Sequence, residues 1–440
     1  MAAPDVGRLG ALAALLLAVS AAADVPSTAD AGLPDDAGGK LTRPLGESGL
    51  DAGVTLSFAS AGPEALDAGV TSAVPPSPPV DEWKGLPNAF RVPGTDAWFH
   101  LGGFAHLDVI YDLNPIGARG NFAVGSIAFV APPEETLYFQ VNTSRLRFDV
   151  AHLTPLGRAQ ASLEFDFFTS SGAPRIRHAY AELGRVLAGQ TWTTLTDSDC
   201  LPPTLDFEMP SSFIVRRQPQ VRYTHPFGED TKLSVAAEYP NFVLDPGAAT
   251  QASGGFEVRA PDLILRLILD RGPVHLSLAG VGRYLRFRET SGALTEAPGV
   301  GGVLELRLRP HARLTLWGEA IGGQGIGGYR GVADLSVDRA GALTAVPILG
   351  GFVGATFNWL DNLRSTGTFS VGGAPFQAAT SEEHGRAQLY ASLNLQWFPV
   401  TRVMAGFEVL FGQHYGYLAG GAPTQAHAVR LQGAMRVTLP

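Results

Sequence analysis

Between Ala387 and Thr438 the chain alternates apolar and polar residues with a period of two. Odd positions read Ala387, Leu389, Ala391, Leu393, Leu395 and Trp397; even ones read Gln388, Tyr390, Ser392, Asn394 and Gln396. After a break at Pro399-Val400-Thr401 the apolar row resumes as Val403, Ala405, Phe407, Val409 and Phe411, and once more as Val429, Leu431, Gly433, Met435 and Val437. A strand sends successive side chains to opposite faces, so each segment carries one apolar and one wet face. Segments of roughly ten residues with an aromatic closing the apolar row can cross a bilayer as tilted strands. The pattern predicts a transmembrane β-barrel.

The same reading from Trp98 onward gives sixteen segments. They are Trp98–Asp112, Tyr138–Ala151, Ala159–Phe167, Arg175–Leu183, Val186–Trp192, Gln218–Thr224, Lys232–Tyr239 and Asp262–Leu269, then Val274–Phe287, Val303–Arg309, Arg313–Ile321, Phe352–Trp359, Leu363–Val371 and the three C-terminal ones. Short gaps such as Pro155-Leu156, Gly184-Arg185, Phe227-Gly228 and Asp361-Asn362 fall at every second place, as periplasmic turns would. The expected fold is therefore an all-β, antiparallel barrel of about 16 strands with a water-filled lumen. The third long gap, residues 193–217, is expected to fold inward as a constriction loop.

The N-terminal part is a different material. Arg8 precedes an apolar run from Leu9 to Val19 and the small residues Ala21-Ala22-Ala23, the pattern of a secretory signal peptide over residues 1–23. Residues 24–95 repeat Asp-Ala-Gly and contain Pro75-Pro76-Ser77-Pro78-Pro79 with few aromatics, which predicts a disordered periplasmic linker. The barrel is assigned to residues 96–440. The net charge is −9, and a single Cys, Cys200, excludes an intramolecular disulfide. Only Lys40, Lys84 and Lys232 are lysines, and nothing points to nucleic acid.

In a barrel of this kind the lumen-facing row is where function sits. Parity turns Arg222, Lys232, Arg266, Arg283, Arg307, Arg309, Arg313, Arg430 and Arg436 inward, together with Asp108, Glu164, Asp166, Glu182, Glu238, Glu305, Glu319 and Glu408. Arginines in a narrow aqueous path attract anions. Arg216 and Arg217, closing the constriction loop, and Arg222 are the first candidates for that path, with Arg266, Arg283 and Arg307 across from them. Arg145 and Arg147 join only if a bulge near Thr143 restores their inward parity. Asp108, Glu164 and Asp166 would form a facing acidic wall.

One block is more specific than a period. Arg175-Ile-Arg-His-Ala-Tyr-Ala-Glu-Leu, Leu187-Ala-Gly-Gln-Thr-Trp-Thr, Leu205-Asp-Phe and Arg217-Gln-Pro-Gln-Val-Arg-Tyr follow Val92-Pro-Gly-Thr and Thr143-Ser-Arg-Leu. Together they resemble the DcaP-like outer-membrane porins, relatives of the phosphate-selective porins. The resemblance implies a sixteen-stranded homotrimeric channel in outer-membrane lipid, passing small hydrophilic and often anionic solutes. The scarcity of lysine argues against phosphate specificity, and residues 24–95 lack the heptads of a coiled coil.

Other chemistry is less well provided for. A barrel hydrolase or protease needs a nucleophile, a base and an acid gathered at the extracellular rim. His414 with Glu408 and His384 with Glu383 are the nearest sets, and neither is joined by a nucleophile motif. Asp197-Ser198-Asp199-Cys200 lacks the further oxygen ligands of a calcium site, and His100, His106 and His178 lack zinc spacing, so no metal or cofactor is expected. A soluble sandwich does not need strands as long as Ala387–Trp397.

Overall fold

The structure is a computed structural model that describes residues 89–439 except 215, 246–253, 338–341 and 375–383. The expected signal peptide, most of the expected linker and Glu383 lie outside the described residues. Sixteen antiparallel strands form the wall. The first half comprises β1 (Trp98–Asp112), β2 (Thr136–Gln140 and Arg145–Thr154), β3 (Gly157–Asp166), β4 (Arg175–Leu183), β5 (Val186–Trp192), β6 (Arg217–Pro226), β7 (Thr231–Glu238) and β8 (Asp262–Arg271). The second comprises β9 (Val274–Glu289), β10 (Leu294–His311), β11 (Leu314–Gln324), β12 (Pro347–Leu360), β13 (Leu363–Gly373), β14 (His384–Val400), β15 (Val403–Tyr417) and β16 (Pro423–Thr438). β16 pairs back onto β1, from Phe104↔Thr438 to Asp112↔Arg430, and closes the sheet. Closure matters because an unpaired backbone group in hydrocarbon costs several kcal/mol.

The C-terminal strands keep the parity their sequence announces. Leu393, Leu395, Trp397, Phe407 and Met435 are exposed on the outer face, while Asn394, Gln396, Glu408 and Gln432 are buried inside. The observed strands β9 to β16 run longer than the pattern suggested. Tight turns, such as Gly272-Pro273 and Thr401-Arg402, lie at one end, and the long connections at the other.

Two departures from the expected boundaries have local causes. The second strand is broken between Gln140 and Arg145: β1 residues Phe104 and Asp108 face Arg145 and Gln140, so β2 spends one residue more than its partner. That extra residue inverts parity, and Arg145, Arg147 and Asp149 turn inward after it. Gly103, at φ 130, makes the break possible, since a Cβ there would meet the Arg145 carbonyl oxygen at 2.2 Å. Second, the expected linker was carried to Thr95, yet Ala89–Arg91 pairs with Trp98–His100 through a turn closed by Val92 N–H on the Ala97 carbonyl (2.8 Å). This short strand lies along the lower part of β1, which β16 does not reach.

The interior is not lined by polar groups alone. Ala236, Ile264, Val281, Val303, Ile321 and Ile348 point inward from β7 to β12 and pack on Leu195 and Ile214 of one inserted segment and Ile326 and Tyr329 of another. On the opposite side Ile116, Phe122, Val124 and Ile127, between β1 and β2, pack on Tyr390, Leu410 and Ala428. Segments from three of the long connections thus occupy the barrel, and each brings apolar side chains to apolar patches on the inner wall.

Candidate solute path

The basic wall is built on β2 to β6. Arg145 and Arg147 come from the second piece of β2, Arg175 and Arg177 from β4, and Arg217 and Arg222 from β6. Their acids sit between them on β3 rather than across the lumen. Arg177 Nε donates to Glu164 Oε1 (2.6 Å) and its Nη1 to Asp166 Oδ2 (2.9 Å). Arg175 reaches Asp166 Oδ2 at 2.6 Å, Arg145 lies 3.9 Å from Glu164, and Arg147 pairs with Asp149 within its own strand (2.9 Å). The expected facing acidic wall is therefore corrected for Glu164 and Asp166. Inward side chains on adjacent strands are only about 5 Å apart, so guanidinium and carboxylate meet sideways before they could act across a channel. Asp108 belongs to another group, accepting from Gln140 Nε2 and Gln432 Nε2 (both 2.9 Å) beside His106 Nε2 (2.8 Å).

Residues 193–214 pass through the barrel interior and are buried over most of their length. Three glutamates of the wall grip this segment by its backbone. Glu238 of β7 accepts from Thr194 N–H (2.6 Å) and the Thr193 hydroxyl (2.7 Å). Glu305 of β10 takes Asp197 N–H on both oxygens (2.8 and 3.0 Å). Glu408 of β15 takes Leu205 and Asp206 N–H on one oxygen (2.7 Å each). Asn394 and Gln396 of β14 donate to the Pro203 carbonyl (2.9 and 2.8 Å), and the Ser370 hydroxyl accepts from Ser212 N–H (2.9 Å). The segment is a strap fixed to strands on both sides of the barrel. Gly189, φ 127, lies within β5 just before it; a Cβ there would meet the Ala179 carbonyl oxygen at 2.3 Å, which accounts for glycine in Leu187-Ala-Gly-Gln-Thr-Trp.

The remaining candidate arginines separate by partner. Arg283 is bound to Asp262 (2.9 Å) and Asp334 (2.8 Å), and its guanidinium lies over the Phe242 and Tyr329 rings. With a side chain fully shielded from solvent, Arg283 holds Gly325 and Asp334 of the inserted segment after β11 and leaves the expected path. Arg216 and Arg217 diverge instead of acting together: Arg216 Nε donates to the Gly328 carbonyl (2.6 Å), while Arg217 lies 4.1 Å over the Trp192 ring. Arg266 donates to the Thr196 carbonyl and Arg307 to that of Asp199 (3.2 Å). Arg222 is half-buried and makes no ion pair among the described residues.

Between the strap and the wall of β1, β2 and β16 lies a small cleft lined by Phe104, His106, Asp108, Arg145, Arg436 and Asp206. Arg145 and Arg436 both approach the Phe104 ring, at 5.2 and 4.7 Å. At the strap's tip, burial pushes the Asp206 carboxyl up to about 6, and burial together with Asp206 pushes Glu208 up to about 8. Burial and the nearby Asp197 push the Cys200 thiol up as well. The His414–Glu408 set is not assembled, because Glu408 holds the strap and His414 Nδ1 faces the Ile127 carbonyl (2.9 Å). The glutamate grip was named from parity only as lining. Inward-facing Ile264, Val281, Val303 and Ile321, too apolar for a wetted wall, are the signal that could have revealed the inserted segments.

Residues 96–273 match the sequence profile of the DcaP outer membrane protein family. Among solved structures, the outer membrane channel DcaP of Acinetobacter baumannii is similar at TM-score 0.68 and 21% identity, covering 80% of this chain and 100% of that one. The anion-selective porin of Comamonas acidovorans is similar at TM-score 0.52 and 12% identity, covering 78% and 100%. At such identities the likeness is one of fold. No curated protein sequence matches the chain.

Proposed function

We propose that the chain is a DcaP-like porin of the outer membrane, a channel rather than an enzyme, working as a homotrimer that favours small anions, carboxylates among them. The observation that carries this reading is the charge of the β2–β6 wall. Arg145, Arg147, Arg175, Arg177, Arg217 and Arg222 stand there against Asp149, Glu164, Asp166 and Glu182. Their excess is positive even though the whole chain is acidic. Arg216 at the end of the strap, Arg266 of β8 and Arg307 of β10 add to it, because they spend hydrogen bonds on backbone carbonyls, which leave the guanidinium charge in place. In a restricted aqueous path such a field is poorly screened. The similar Comamonas structure is described as anion-selective, which agrees with this reading.

Reversal potentials in asymmetric potassium chloride test it. Wild-type channels should prefer chloride, and Arg222→Glu, alone or with Arg147→Glu, should move the potential toward potassium, most at low salt. A cation-selective wild type, or variants that leave the potential unmoved, would end the anion reading.

A further inference from the structure

The strap carries a cluster that the solute path does not use. Asp197 and Asp199 face His275 of β9, and one donor atom from each lies within 4.8 Å of the other two. His275 Nε2 stands 3.0 Å from Asp197 Oδ2. On the other side of the ring, Nδ1 lies 3.4 Å from Asp270 Oδ2 at the end of β8. A metal-binding histidine offers the lone pair of one ring nitrogen to the ion; here that nitrogen is Nε2, turned to Asp197, while Nδ1 makes no hydrogen bond. Without a proton or a cation between them, that lone pair and the Asp197 oxygen would repel. The histidine is 3% exposed.

The neighbouring positive charges leave the oxygens available. Arg266 donates to the Thr196 carbonyl and Arg307 to the Asp199 carbonyl, not to either carboxylate. Asp197 Oδ1 accepts from Asp199 N–H (3.1 Å), and Asp199 Oδ1 is buried with no hydrogen-bond partner. We propose that Asp197, Asp199 and His275 bind one divalent transition-metal ion, for which zinc is the natural probe. One imidazole nitrogen and two carboxylate oxygens suit zinc or manganese, and three protein ligands leave room for water. The ion enters from the periplasmic mouth, where the Asp270 side chain is half-exposed beside the Arg271-Gly272-Pro273 turn. Once bound, it ties the strap to β9 next to the Glu305 grip. This site stands apart from the anion preference and does not depend on it.

Protein purified in detergent as its native oligomer and stripped with EDTA is titrated with zinc chloride by calorimetry, with calcium and magnesium chloride as comparisons. One zinc per chain is expected, with calcium and magnesium failing to compete. His275→Gln and Asp199→Asn should each weaken binding at least about tenfold. Asp199→Asn preserves the His275–Asp197 contact, and gel mobility with and without boiling confirms that each variant barrel is folded. Three results overturn the site: no zinc bound by the wild type, binding unchanged in both ligand variants, or loss with His275→Gln alone while Asp199→Asn binds normally.

Discussion

Removing the Glu408 carboxylate should free the tip of the strap while leaving the barrel closed. Glu408 is fully buried, and one of its oxygens accepts both Leu205 N–H and Asp206 N–H at 2.7 Å. Hydrogen bonds to a charged acceptor are worth about 1.5–3 kcal/mol each, so the pair contributes roughly 3–6 kcal/mol to holding the tip down. At about 1.4 kcal/mol per tenfold, Glu408→Ala should raise the local opening equilibrium by roughly 10²–10⁴. The Glu238 and Glu305 grips remain, so exchange should accelerate at residues 203–210 and much less at 193–197. Hydrogen exchange read by mass spectrometry on those peptides measures the effect, and planar-bilayer recording should show a larger or noisier conductance. Glu408→Gln keeps an acceptor in place and should fall between the two. If exchange at Leu205 and Asp206 in a folded Glu408→Ala barrel stays within about twofold of wild type, the carboxylate does not hold the strap and the ledger is wrong.

The tip should also respond to pH: with Glu208 pushed up to about 8 and Asp206 to about 6 by burial, the packed tip retains protons that an opened tip releases. Packing is therefore firmest below the ordinary carboxylate range and weakens as pH rises toward 8; exchange corrected for its intrinsic pH dependence should show this, and Glu208→Gln should flatten the upper part of the trend. Cys200, buried in the strap with its thiol pushed up, should resist maleimide until the protein is boiled, and rapid labelling of native protein would place the strap elsewhere. Deleting residues 24–88 should leave insertion and conductance nearly unchanged, as their composition offers little to a core; loss of the native oligomer on deletion would show that the segment assembles the protein. Light scattering in detergent should give three chains per particle, and a monomer would remove the trimer without touching the barrel.

The wall was legible in the sequence because strand parity is written two residues at a time, and each lipid-facing row must be apolar along its whole length. Phe407 and Val409 announce their neighbour Glu408 as inward with no knowledge of the fold. What Glu408 does inside was not legible, since its partners Leu205 and Asp206 are some two hundred residues away. The Arg177–Glu164 and Arg175–Asp166 pairs depended on register between β3 and β4, which includes a shift beside Glu164. Parity alone could not choose between a pair across strands and a wall across the lumen. The Arg145 and Arg147 directions hung on one extra residue between Gln140 and Arg145, where a strand pattern simply continues. His275 was invisible as a partner of Asp197 for the same reason that the strap was: the contact is made by a loop entering the barrel.

Closure of β1 on β16 has a consequence for how the protein is made. The seam joins the first strand of the wall to the last, and the buried Arg430–Asp112 ion pair (2.7 Å) lies across it. Until β16 has been synthesised, the edge of β1 opposite β2 is unpaired along Phe104–Asp112, and every shorter product presents two open edges. No such intermediate is tolerable in hydrocarbon, where water cannot satisfy an edge. Pairing of the last strand with the first is therefore the step that removes the final open edges, and a chain truncated before β16 cannot close its wall in this way.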